Sequence, residues 1–116
     1  MDRDGVLAVC RALTGSVEEF PFGPEVAVFK VGGKMFAIVS ADAAPGSVSL
    51  KCDPGYALAI REEYPAVTAG YHLAKRHWNT VVLDGTVPDA LVSEWIQDSY
   101  DLVNASLPRS KRVRLG

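Results

Sequence analysis

The stretch "EVAVFKVGGKMFAIVS", residues 25–40, constrains the fold more than any other part of the chain. Two runs rich in β-branched and aromatic residues flank Gly32-Gly33, and such a pair closes a two-residue turn that needs positive φ at both positions. An antiparallel hairpin is the result. Closing the turn pairs Val31 with Lys34 and sets Phe29 opposite Phe36 on one face, leaving Val28 and Ala37 on the other. Both faces of the hairpin are then apolar, which accommodates either a second helix layer or a dimer formed through the sheet.

The flanking segments extend this hairpin into a domain. Val6, Val9, Cys10 and Leu13 recur at helical spacing, and Gly15 follows where a helix end favours glycine. "FPFGP", residues 20–24, reads as a loop, and "SVSLKC" alternates as a strand with one wet face. Asp53 before Pro54 supplies a cap and a first-turn proline for a helix that runs to about Tyr64, where Pro65 stops it. "NTVVLDG" reads as a further strand. Thr86 and Asp89 offer a cap for the last helix, whose apolar positions are Leu91, Val92, Trp95, Ile96, Leu102 and Val103, and Pro108 closes it.

The order is helix, three strands, helix, one or two strands, helix. This predicts an α+β fold with helices packed on one face of an antiparallel sheet. At 116 residues and 48% hydrophobic content the chain forms one domain, residues 1–108, followed by a basic C-terminal tail, 109–116.

Several classes fall away at this level. The N-terminal stretch lacks the basic head and long apolar run of a signal peptide, and no run approaches the ~18 apolar residues that cross a bilayer. A cytoplasmic protein is expected. Cys10 and Cys52 match no CxxC spacing and make no disulfide framework, so a buried Cys10 and an inert Cys52 are expected.

Net charge is −2, which argues against a simple basic nucleic-acid binder, but the charges are unevenly placed. Nine of the twelve lysines and arginines lie in stretches without an acid: Lys30 and Lys34, Lys51, Lys75 and Arg76, then Arg109, Lys111, Arg112 and Arg114. The last helix carries only Asp89, Glu94, Asp98 and Asp101. The expected molecule is positive on its sheet-and-tail side and negative on its outer helix. A local basic zone attracts phosphate whatever the net charge, although lysines on exposed strands also serve to block edge pairing.

The densest feature is "GYHLAKRHWNTVVLDG", residues 70–85. His72 and His77 are five apart where a helical metal pair is four apart, and no third ligand of suitable type is near. No nucleophile motif frames a serine for a histidine base, and "GGK" at 32–34 is a hairpin turn rather than a phosphate loop. No catalytic residue, metal or cofactor is therefore assigned, and the chain is not expected to be an enzyme. Lysine, arginine and histidine contact phosphate, and Asn79 can bond a base edge. Trp78 opens an apolar strand and is expected to be packed.

These stretches resemble the MmcQ/YjbR family of small bacterial proteins. The resemblance runs through "FPFGPEVAVFKVGGKMFAI", "VSLKCDP" and "GYHLAKRHWNTVVLDGTVPD", and the family pattern H-x-x-K-x-H-W falls on His72, Lys75, His77 and Trp78. It implies a fold like that of frataxin's bacterial relative and a function often labelled DNA-binding, with no catalytic residues to carry over. The leading expectation is weak DNA binding through phosphate by His72, Lys75, Arg76, His77 and Asn79. Lys51, Lys34, Lys30, Arg109, Lys111 and Arg112 would support them. The alternative is a module that binds a protein partner or small ligand without a nucleic-acid role. Either a monomer or a dimer suits the apolar hairpin.

Overall fold

The computed structural model describes residues 1–70 and 73–114. Helix α1 (Arg3–Ala12) leads into β1 (Val17–Glu19), β2 (Val26–Val31), β3 (Lys34–Ser40) and β4 (Ser47–Lys51). Then come α2 (Pro54–Glu63), β5 (Val67–Ala69), β6 (Trp78–Val82), α3 (Asp89–Ser106) and a 3-10 turn (Arg109–Lys111). The six strands form one antiparallel sheet in the order β1-β2-β3-β4-β6-β5, and the three helices cover one face. The α+β architecture is as expected. Both edges of the sheet are three-residue strands: β1, which the sequence reading lacks, and β5, the second of the one or two strands it allowed after α2. Edges this short offer little template to another chain.

Helix α2 forms where its local signals place it. Asp53 accepts a bond from the Tyr56 amide at 3.2 Å, Pro54 occupies the first turn, and Tyr64 ends the helix. The expected cap of α3 does not form. Thr86 instead turns back to Asp84, whose Oδ1 accepts from the Thr86 amide and hydroxyl, and α3 begins at Asp89 without a side-chain cap. Asp89 receives the N-terminal ammonium of Met1.

The hairpin closes on Val31 and Lys34, but a bulge then shifts its register. Phe29 pairs with Ala37 and Lys30 with Met35, so Phe36 is the extra residue. The expected Phe29–Phe36 opposition is thus replaced by a diagonal contact, with ring centroids 6.2 Å apart and both rings fully buried. Because the bulge lets Phe36 and Ala37 both join the helix-side core, the two faces are not equivalent. Phe29, Phe36, Ala37 and Val39 meet α1 and α3. By alternation, Val26, Val28, Ile38, Ser47, Ser49, Lys51, Trp78 and Thr80 belong to the opposite, helix-free face.

Tyr100 and Ser99 of α3 are buried, while Leu102, expected in the core, is exposed. The tail is not a free appendage. Asn104 donates to the Val113 carbonyl and accepts from the Val113 amide, both at 2.9 Å, which docks the chain through Val113 against α3. Leu115 and Gly116 lie outside the described residues.

Hairpin and tail meet at Gly32. A methyl group there would run into buried Leu107 and stand 3.1 Å from the Lys111 carbonyl, whereas one at Gly33 would meet nothing within 4 Å. Both glycines have positive φ, +56° and +84°, so alanine at either pays the left-handed strain of about 1–2 kcal/mol. Overpacking adds about 1–3 kcal/mol at Gly32 alone. Gly32→Ala is therefore expected to unfold at clearly lower urea concentration than Gly33→Ala. Equal midpoints would show that the tail yields without cost.

Candidate nucleic-acid interface

The strand directions gather the basic residues at one end of the sheet. β2 and β4 both run toward the Gly32-Gly33 turn, β6 starts there, and α3 ends there. Lys34 stands in the hairpin, next to the docked segment that carries Arg109, Lys111 and Arg112. Lys51 closes β4 opposite Trp78, and the Cys52 amide donates to the His77 carbonyl at 2.7 Å, joining this end to the 73–77 connection. Asp2, Asp42, Asp84 and Asp89 occupy the other end, where α1 and α3 begin and the β3–β4 loop turns. The charge axis thus runs along the strands. The expected contrast between sheet side and outer helix is only part of the layout, because Asp53, Asp98 and Asp101 line a shallow depression with Cys52 on the helix side of the basic end.

The connection before β6 is held by its backbone. The Ala74 carbonyl accepts from the amides of His77 and Trp78, each at 3.0 Å, and Arg61 of α2 donates to the Lys75 carbonyl at 3.2 Å. The Gly70 amide donates to the Trp78 carbonyl at 2.9 Å, and a Cβ on Gly70 would stand 2.9 Å from the Trp78 Cβ, so the chain crosses Trp78 closely there. Trp78 is buried beneath it, as its place at the head of an apolar strand predicts. Lys75, Arg76 and His77 are exposed on this braced turn. His72, like Tyr71, lies outside the described residues.

Not every sequence candidate faces solvent. Asn79 is only 4% exposed and points into the helix side, where its Nδ2 donates to the Ala57 carbonyl of α2 at 3.2 Å. It is therefore withdrawn as a base contact: period-2 alternation after Trp78 turns it away from the open face. Its Oδ1 is buried without a hydrogen-bond partner among the described residues, beside a cavity of about 20 Å³ between sheet, α2 and α3. That volume suits one water. Lys30 is engaged with Glu19 at 3.2 Å, which weakens its availability for phosphate.

Burial pushes the Cys10 thiol up to about 12 and the Cys52 thiol up to about 11, with Glu18 and Asp53 respectively adding to the effect. Both are neutral thiols at pH 7 and poor nucleophiles. Asp98 is likewise raised, by burial and then by Glu94 and Asp101.

The helix-free face carries a feature that sequence reasoning missed. A groove of about 620 Å³ lies between the "FPFGP" loop and the 73–77 connection, with Phe22 and Leu73 on its walls and Ile38, Ser49 and Thr80 in its floor. The Ser49 and Thr80 hydroxyls bond to each other across β4 and β6 at 2.8 Å. Phe22 is 71% exposed and Phe20 48%. The available signal was the wet face of "SVSLKC" together with two phenylalanines in a loop, but only the sheet order brings them together.

Comparison with known proteins agrees with this architecture. The YjbR family model matches residues 11–102. The chain is 40% identical over 99 residues to the uncharacterized protein YbdF of Escherichia coli O157:H7, covering 84% of this chain and 81% of YbdF. It is 33% identical over 110 residues to the uncharacterized protein YjbR of Escherichia coli K12, covering 95% and 93%. A crystal structure of a Deinococcus radiodurans protein with a DUF419 domain superposes with a TM-score of 0.88 at 40% identity, over 95% of this chain and 84% of that one. A crystal structure from Pseudomonas syringae at 23% identity has a TM-score of 0.77, over 89% and 99%, and attests the fold. A family match across most of the chain, with close relatives of nearly the same length, makes this protein a member of the YjbR family.

Proposed function

We propose that the protein binds nucleic acid weakly, through phosphate, at the hairpin end of its sheet, as a non-enzymatic cytoplasmic protein. The observation that carries this reading is the braced turn: Lys75 and Arg76 are exposed on a backbone anchored from α2 and, through the Cys52 amide on the His77 carbonyl, from the strand end that carries Lys51. A rigid backbone beneath mobile cations lowers the entropic cost of ordering an anion there. Lys34, Arg109, Lys111 and Arg112 extend the same end, and positive potential over several residues steers a polyanion in spite of the net charge. Contacts of this kind are salt-dependent and indifferent to sequence.

The test is anisotropy of a fluorescent duplex across a salt series. Wild type is expected to lose affinity steeply with salt. Lys75→Glu/Arg76→Glu is expected to bind about tenfold more weakly at low salt, with a log–log salt slope shallower by about two. Both side chains are exposed, so the variant should keep the wild-type urea midpoint. An unchanged slope would remove this turn from the interface.

A second reading, a small-ligand module, has the open-face groove in its favour, since its volume lies in the range of roughly 300–1,000 Å³ typical of ligand sites.

A further inference from the structure

The groove and the basic end lie on one continuous surface. Ser49 and Lys51 share the helix-free face of β4, about 7 Å apart along the strand. On the opposite wall, Leu73 precedes Lys75 and Arg76 in the same connection. We propose that the groove receives an unpaired nucleobase of a single-stranded nucleic acid, stacked against Phe22 while its phosphates lie on Lys51, Lys75 and Arg76. This rests on the phosphate-binding reading above and adds the class of nucleic acid.

The chemistry of the walls selects the occupant. A nucleobase has two apolar π-faces and a polar edge. Phe22 and Leu73 supply apolar walls, and the hydrogen-bonded Ser49–Thr80 pair in the floor retains one hydroxyl donor and acceptor lone pairs for the base edge. Phe22 is largely exposed, so its ring is available for stacking. A peptide strand would dock by backbone bonds at a sheet edge, yet this groove lies over inner strands β3, β4 and β6, whose pairing is internal to the sheet. Charge also orients the occupant. Asp42 stands beside the Phe22 loop, at the end of the groove away from Lys51, and repels phosphate, so the sugar-phosphate chain of a base stacked on Phe22 runs toward Lys51. A base paired within a duplex cannot enter, because its faces are stacked and its edge is occupied.

Three fluorescent probes of equal length separate the parts: a natural single strand, an abasic single strand with the same phosphates, and a duplex. The natural strand is expected to bind roughly 5- to 100-fold more tightly than the abasic one, the range for stacking one base. Phe22→Ala should reduce the natural strand to the abasic level and leave the other probes unchanged, and Phe22→Tyr should restore the difference. Phe22 is a loop residue with its ring in solvent, so the variants should match wild type in urea midpoint. Equal binding of natural and abasic strands, or indifference to Phe22→Ala, overturns the base site while phosphate binding stands. A protein that sediments as a dimer dissociated by Phe22→Ala would place a second copy in the groove and overturn it too. Failure of every probe to bind at low salt removes the phosphate reading and this one with it.

Discussion

Phe36→Ala is expected to lower the stability of the folded protein by about 3–5 kcal/mol, the largest loss we anticipate from a single substitution. The ring is fully buried and meets Phe29 at 6.2 Å and the edge of Tyr100 at 5.4 Å. Truncation removes apolar area and leaves a void among strands and helix that cannot close readily. Tyr100 is held by its hydroxyl on the Thr14 carbonyl, and Phe36 sits at a bulge pinned from both sides of β3. Against a total of about 5–15 kcal/mol, such a loss leaves a marginal protein. Urea unfolding followed by tryptophan fluorescence measures it. Phe36→Leu is the control, with an expected loss of about 1 kcal/mol. A loss below 1 kcal/mol for the alanine variant would mean that the bulge slides and refills the space.

Ser99→Ala is expected to cost about 2–4 kcal/mol, through hydrogen bonding rather than volume. The pairing of β3 with β4 begins at Ala37 and Leu50, so the next rung, Phe36 with Lys51, is missing at the bulge. The Ser99 hydroxyl fills that rung. It donates to the Phe36 carbonyl at 2.6 Å and accepts from the Lys51 amide at 2.8 Å. Alanine leaves two backbone groups buried without partners, each costing roughly 1–3 kcal/mol. Amide exchange provides the specific readout, because Lys51 should lose protection beyond that explained by the global change. Unchanged stability with Lys51 still protected would show that β3 and β4 zip directly once the hydroxyl is gone. Through Lys51 this residue also supports the basic end, so the variant should bind phosphate less well than its exposed surface alone implies.

Most local decisions were legible in the residues. Gly32-Gly33 names its turn because few residues other than glycine take two successive positive φ values, and both do so here. Asp53-Pro54 and Pro65 bound α2 because capping and the proline ring act over one or two residues. The signature stretches marked the family, and Lys75, Arg76 and His77 within them are exposed.

What the tertiary structure alone decided involves residues far apart in the chain. β1 and β5 are strands because β2 and β6 offer them partners, and three residues carry no pattern that announces this. At the Phe36 bulge α3 presents a serine, 63 residues later, that completes the broken rung. Asn79 looked like a recognition residue by type, but alternation after Trp78 spent its amide on α2. The tail lost its freedom to Asn104. Propensity, caps and turns act through torsions and bonds within a few residues, so a sequence displays them directly. Which loop faces which strand, and therefore the groove under Phe22 and the gathering of cations at one end, depends on strand order. That order is set by burial of the whole sheet against the helices.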